Sequence, residues 1–190
     1  WLALREWLVP LVLGRPLEGP EDVHALLAVN LKGHQLAPAA LEMGCWGIAA
    51  TLGGVSLSRL LGGTRDRVPT GISIGIQDDP ATLVARAQSA LADGYRKIKV
   101  KIRPGKDLEY VRAVRLALGD SVEIMADANS AYTLNDADHL AKLDEFELLM
   151  LEQPLGDDDI VRHATLQRRI TTPICLDESI TSVDRAEDMI

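Results

Sequence analysis

The stretch Lys97-Ile98-Lys99-Val100-Lys101-Ile102 decides the fold. Polar and aliphatic residues alternate with a period of two, so the three lysines share one strand face and Ile98, Val100 and Ile102 the other. The aliphatic face suits packing against helices. The lysines then project toward the interior of a closed sheet, where burial and mutual repulsion favour the neutral amine. Outward from this strand, short apolar runs alternate with helical patterns. Val68 to Ile76 reads as a strand, Pro80 to Ala92 as a helix closed by Gly94, and Asp107 to Leu118 as a helix after the turn Pro104-Gly105. Val122 to Ala126, Leu148 to Leu151 and Ile174 to Leu176 read as three more strands. Asn135 to Leu143 and Asp158 to Arg169 supply the helices between them, and Ser182 opens another.

This alternation predicts parallel βα units, because each crossover must carry the chain back along the sheet. An open doubly wound sheet is the alternative, yet the chain shows no dinucleotide or Walker fingerprint. Gly62-Gly63-Thr64 lacks both the preceding strand and the lysine of a phosphate loop. The expected fold is therefore α/β, a partial eight-stranded TIM-type barrel with about five strands present. The chain before it, Trp1 to about Leu61, reads as helical. Pro20 to Asn30 has early acids and apolar residues at helical spacing. Pro38 suits the first turn of a helix through Ala39 to Leu52, Gly53-Gly54 ends it, and Leu57 to Leu61 forms a short helix before Gly62-Gly63. The expected division is residues 1–66 as helices and linker and residues 67–190 as the barrel units.

Composition bounds what the protein does. The 190 residues are 47% hydrophobic and 25% charged, ordinary for a globular chain with a real core. A formal net charge of -8 disfavours nonspecific attraction to nucleic acid or anionic lipid. Cys45 and Cys175 are too few and too far apart for a disulfide framework or thiolate metal site, and read as buried thiols. The apolar opening, Trp1 to Leu13, contains Arg5 and Glu6, lacks a signal-peptide pattern and is too short to span a bilayer. No membrane partner and a cytoplasmic location are the expectations. The start at Trp1 suggests the interior of a longer chain.

Asp127, Glu152 and Asp177 are spaced 25 residues apart both times, each just past an apolar run. In a barrel these positions are the C-terminal strand ends, where active sites lie. Three bare carboxylates would repel one another; a hard cation relieves that cost, and all-oxygen ligation points to Mg2+, with Mn2+ as a substitute. His24, His34, His139 and His163 lack the spacing for a zinc cluster and read as surface or packing residues. Asn129 and Glu178 stand beside the acids and are candidates to orient them. A lysine base facing a metal suits removal of a proton alpha to a carboxylate, giving an enediolate.

Several stretches together carry a family likeness: Ala39-Ala40-Leu41-Glu42-Met43, Leu61-Gly62-Gly63, Gly71-Ile72-Ser73-Ile74-Gly75, Lys99-Val100-Lys101, Asp127-Ala128-Asn129, Glu152-Gln153-Pro154 and Asp177-Glu178-Ser179. The chain resembles the enolase superfamily, in its muconate-lactonising branch, and most closely the o-succinylbenzoate synthase and N-acylamino acid racemase group. The resemblance implies Lys101 as the acid/base, Lys99 as its modulating neighbour, and Asp127, Glu152 and Asp177 as Mg2+ ligands. It places Ser73 near the substrate, makes the barrel a partial modified TIM barrel and makes residues 1–66 part of a capping domain. It implies a lyase or isomerase acting on a small-molecule carboxylate, by dehydration in menaquinone biosynthesis or by racemisation, and a homo-oligomer at full length. Dipeptide epimerase and muconate cycloisomerase are alternatives, as is an inactive truncated barrel serving as an interaction module. The family's opposing lysine would follow Ile190, and cap strands would precede Trp1. Gly47 departs from the Asp that commonly follows the helix tryptophan, here Trp46.

Overall fold

The computed structural model describes residues 1–28 and 33–190, which form two compact units, Trp1–Arg67 and Val68–Ile190. The first unit is helical. A wide π-helical turn, Ala3–Leu8, leads into α1 (Val9–Val12), where Pro10 would clash with the carbonyl four residues back in a longer regular helix. Then come α2 (Glu21–Ala28), α3 (Leu36–Leu52) and α4 (Leu57–Leu60). The expected extension of α2 to Asn30 falls outside the described residues. Leu8, Val23 and Leu27 are buried, and Leu41 and Cys45 of α3 pack against them. Cys45 is only partly buried, as is Cys175 in the other unit. Gly47 lies on an open stretch of α3, and a side chain there would meet nothing.

In the second unit, β1 (Gly71–Ile74), β2 (Lys97–Lys101), β3 (Glu123–Asp127), β4 (Met150–Glu152) and β5 (Ile174–Cys175) form one parallel sheet in sequence order. This is the strand order of consecutive βα units in a barrel. The predicted β1, Val68 to Ile76, is too long: Val68 and Ile76 are exposed and take no part in the ladder. Between strands lie α5 (Pro80–Ala92), α6 (Leu108–Leu118), α7 (Ala137–Leu140) and α8 (Val161–Gln167), with α9 (Val183–Met189) after β5.

Local chemistry sets these boundaries. Asp79 caps α5, its carboxylate accepting the Thr82 N–H at 2.8 Å, and Pro80 opens the helix at no hydrogen-bonding cost. Gly94, at φ +97°, lets the chain leave α5 for β2. The helix expected over Asn135 to Leu143 is broken into 3-10 turns, Leu134–Asp136 and Ala141–Phe146, flanking α7. Asp136 is drawn into a capping box with Thr133, which tightens the first turn. Likewise α8 starts later than Asp158, because the Asp159 carboxylate caps the Arg162 N–H at 2.8 Å.

Ile98 and Val100 are fully buried, as the alternation requires, and pack in one core with Leu83 and Ala87 of α5 and Val111 and Val114 of α6. Each such aliphatic side chain contributes about 1.5–3 kcal/mol on burial. The same alternation leaves the lysines on the opposite face. Register then aligns the strand ends: Lys101 pairs with Asp127, Asp127 with Glu152, and Glu152 with Cys175.

Candidate active site

That register row brings the charges together. Lys99 Nζ donates to both Glu152 oxygens, at 2.8 Å and 3.0 Å, and stands 3.3 Å from Asp127 Oδ2. Lys101 Nζ donates to Asp127 Oδ2 at 2.7 Å and to Asn129 Oδ1. Asp127 and Glu152 are buried, whereas the lysine side chains are 26% and 30% exposed. Each ammonium therefore reaches the acids from a face still open to solvent.

The expectation that burial would favour a neutral amine is corrected for Lys99. Burial does work against its charge, but the Glu152 and Asp127 carboxylates outweigh it and hold the Lys99 pKa above the usual lysine value. Asp127 shows the converse. Burial pushes its pKa up, and the hydrogen bonds from Lys101 and the Asn129 N–H overcome it, leaving the carboxyl below its ordinary range. In Cys175, burial first and then Glu152 and Asp177 raise the thiol pKa.

The candidate flanking residues divide. Asn129, in the left-handed region at φ +41°, receives Lys101 on its carbonyl and donates Nδ2–H to Glu178 Oε1 at 2.9 Å, while its own N–H reaches Asp127 Oδ1 at 3.0 Å. Were β5 to continue past Cys175, Glu178 would face away from Asp177; β5 stops at Cys175, and the following turn aims Glu178 at Asn129. Ser73 is exposed and pairs with Lys99 in register; both line an open cavity of about 250 Å³ with Lys97 and Met125. Asp177 is exposed in the turn two residues past β5, and among the described residues no three His, Cys, Asp or Glu side chains converge closely enough to hold an ion as they stand.

The donor chemistry nonetheless fits a hard dication. Asp127, Glu152 and Asp177 are oxygen donors at or just beyond the ends of three neighbouring strands, and such strands lie about 4.8 Å apart, within carboxylate reach. Lysine ammonium groups already sit against the first two acids. The buried Glu178 Oε2 has no hydrogen-bond partner, an acceptor left open at the edge of the same group.

Sequence reasoning missed Gln153, whose side chain is wholly buried between the Glu152 and Asp177 segments. The one signal was its place between a candidate ligand and Pro154, which steers the preceding residue away from a helical conformation. It also missed a buried polar cluster: Asp107 Oδ2 accepts from Tyr132 Oη at 2.7 Å and meets His139 Nε2 at 2.8 Å. His163 is a packing residue, its Nε2 accepting the Leu155 N–H at 3.0 Å.

Residues 82–190 match the family model described as enolase C-terminal domain-like. This chain belongs to the enolase superfamily. It is 50% identical to the o-succinylbenzoate synthase of Geobacillus stearothermophilus, over 98% of this chain and 49% of that protein. It is 48% identical to the N-succinylamino acid racemase of an Amycolatopsis species, over 98% of this chain and 50% of the other. A Streptomyces coelicolor racemase solved with bound magnesium superposes with a TM-score of 0.90 at 28% identity, over 99% of this chain and 56% of that one. The chain spans about half the length of the curated relatives it matches. Among the described residues, no helix is long and apolar enough to cross a membrane.

Proposed function

We propose that this chain carries the metal-binding side and one acid/base of an enzyme that removes the proton alpha to a carboxylate, as an o-succinylbenzoate synthase, an N-acylamino acid racemase, or both. The observation that carries this is the row at the strand ends, where Lys99 and Lys101 present their ammonium groups to Asp127 and Glu152. The 50% and 48% identities to relatives bearing those two names support that reading.

In this account Asp127, Glu152 and Asp177 hold Mg2+, or Mn2+ in its place. When bound, the ion offsets the negative charge that builds on a substrate carboxylate as the alpha proton leaves. Lys101 exchanges that proton at Nζ, and Asp127 and Asn129 fix where Nζ sits. Lys99, tied to Glu152, supplies a fixed positive charge beside it. Breaking the alpha C–H bond sends its electron pair into the carboxylate, giving the enediolate. In dehydration the pair returns to form a C=C bond and expels hydroxide from the neighbouring carbon. In racemisation a second acid, across the substrate from Lys101, returns a proton to the opposite face of an N-acylamino acid, and Lys101 keeps the one it took. In the same account Ser73, which lines a cavity with Lys99, contacts the substrate, and residues 1–66 belong to a capping domain.

A substrate panel tests the assignment on the full-length protein. It comprises the cyclohexadiene carboxylate precursor of o-succinylbenzoate, N-succinyl and N-acetyl amino acids, dipeptides and muconate. Mg2+-dependent turnover of either of the first two classes is expected. Turnover confined to dipeptides or muconate, or none at all, would overturn the assignment.

A further inference from the structure

The β4–β5 ladder ends at Glu152 and Cys175, two residues short of Asp177. Beyond that point the Gln153 side chain takes over the role of the missing strand partner. Its Oε1 accepts the Asp177 N–H at 2.9 Å and the Ser179 N–H at 3.3 Å. On the other side, Nε2 donates to Ser179 Oγ at 2.6 Å, to Gly156 O at 3.2 Å and to Leu155 O at 3.4 Å. The Gln153 backbone N–H meanwhile reaches Cys175 O at 2.8 Å, continuing the sheet pattern by one bond. The side chain is 0% exposed, and its backbone is held in the left-handed region at φ +38°, a conformation a non-glycine residue keeps only where its surroundings enforce it.

We propose that Gln153 is a positioning residue: its amide clamps the turn Asp177-Glu178-Ser179 to the end of β4 and so fixes the spacing between the Glu152 and Asp177 carboxylates. The inference rests on the reading of those two acids as ligands of one ion. Only an amide serves. It accepts two N–H groups at one end and donates at the other, whereas a glutamate of the same shape would set an oxygen against the Leu155 and Gly156 carbonyls. A leucine would leave the Asp177 and Ser179 N–H groups buried without an acceptor. Glu178 follows Asp177 directly, so the same clamp also sets where Glu178 meets Asn129.

The test uses the full-length protein and Mg2+ alone as the ligand, with Kd measured by calorimetry for wild type, Gln153→Glu and Gln153→Leu. Both variants are expected to bind Mg2+ about 10- to 100-fold more weakly, the usual effect of losing a residue that orients a ligand. A folded variant binding within about twofold of wild type would overturn the proposal, because a purely structural role lowers the melting temperature without moving the Kd. Should both variants fail to fold, Ser179→Ala removes only the Nε2–Oγ bond. It should weaken Mg2+ binding about two- to tenfold, and an unchanged Kd there would equally overturn the clamp. Wild type that binds no Mg2+ would defeat the metal reading instead. Amide hydrogen exchange then decides the clamp by itself: faster exchange at Asp177 and Ser179 in the variants supports it, and unaltered exchange overturns it.

Discussion

The two ends of the sheet hold cations in opposite ways. At the amino ends of β3 and β4, the Arg115 guanidinium is buried and donates to four neutral carbonyls: Phe146 and Gly119 at 2.9 Å, Val122 at 2.9 Å, and Glu147 at 3.1 Å. At the carboxyl ends, Lys99 and Lys101 meet carboxylates and keep part of their surface in solvent. Fixed backbone dipoles around a permanently charged fork make a staple that joins the end of α6 to two strands and has nothing to exchange. Carboxylates around partly exposed amines make an arrangement in which, on the proposed function, one cation replaces another and protons move. The lesson is the one barrels teach generally: stability is concentrated at one face and chemistry at the other.

Substitutions sharpen this contrast, the largest stability loss expected at the staple. Arg115→Leu should destabilise the protein by about 3 kcal/mol, since it strips buried carbonyls of their donor, while the folded fraction keeps its turnover number. Denaturant unfolding paired with kinetics checks both halves; a large kcat loss with intact stability would break the comparison. Asp144 is a smaller tie of the same kind, accepting the Thr171 and Thr172 N–H groups and the Thr172 hydroxyl at 2.7–2.8 Å. Asp144→Ala should cost about 1–2 kcal/mol near neutral pH. Burial raises the Asp144 pKa, but these hydrogen bonds prevail and depress it below 3.8. A depressed carboxyl stabilises above its unfolded pKa and loses that stabilisation as pH falls through the folded one, so the gap between variant and wild type should close below pH 3.8. Melting curves from pH 7 downward would show it.

Across the sheet, Lys99→Gln should cost about 1–2 kcal/mol, less than the staple, because Lys99 keeps part of its surface in solvent while the Glu152 carboxylate it pairs with is buried. Its pKa is raised, so whatever it contributes is present below the ordinary lysine pKa of 10.5 and fades as pH rises through the folded value. A destabilisation as large as that of Arg115→Leu would erase the distinction. Smallest of all, Arg169→Ala, which removes an exposed pair with Asp138, should leave unfolding within about 0.5 kcal/mol of wild type.

The staple is invisible in the sequence and the charged row at the other end is legible, for physical reasons. Period-two alternation in Lys97 to Ile102 reports which face a residue takes, and parallel register carries Lys101, Asp127 and Glu152 to one row. Local caps such as Asp79-Pro80 and Gly94 are written in adjacent residues, so α5 was readable to its ends. Arg115, Asp107 and Gln153 depend on partners from distant segments that no local pattern links to them. The orientation of Glu178 failed to follow from strand phase because β5 gives way to a turn after Cys175, and that turn is held by Gln153.

The central claim is that Lys101 moves the alpha proton at a metal-binding strand-end row. It is tested most directly by NMR of alpha-hydrogen exchange in D2O with the full-length protein, Mg2+ and an N-succinylamino acid. Wild type should incorporate deuterium, and Lys101→Ala should lose about 10²- to 10⁴-fold of that rate while still binding Mg2+. Undiminished exchange in Lys101→Ala would contradict the account.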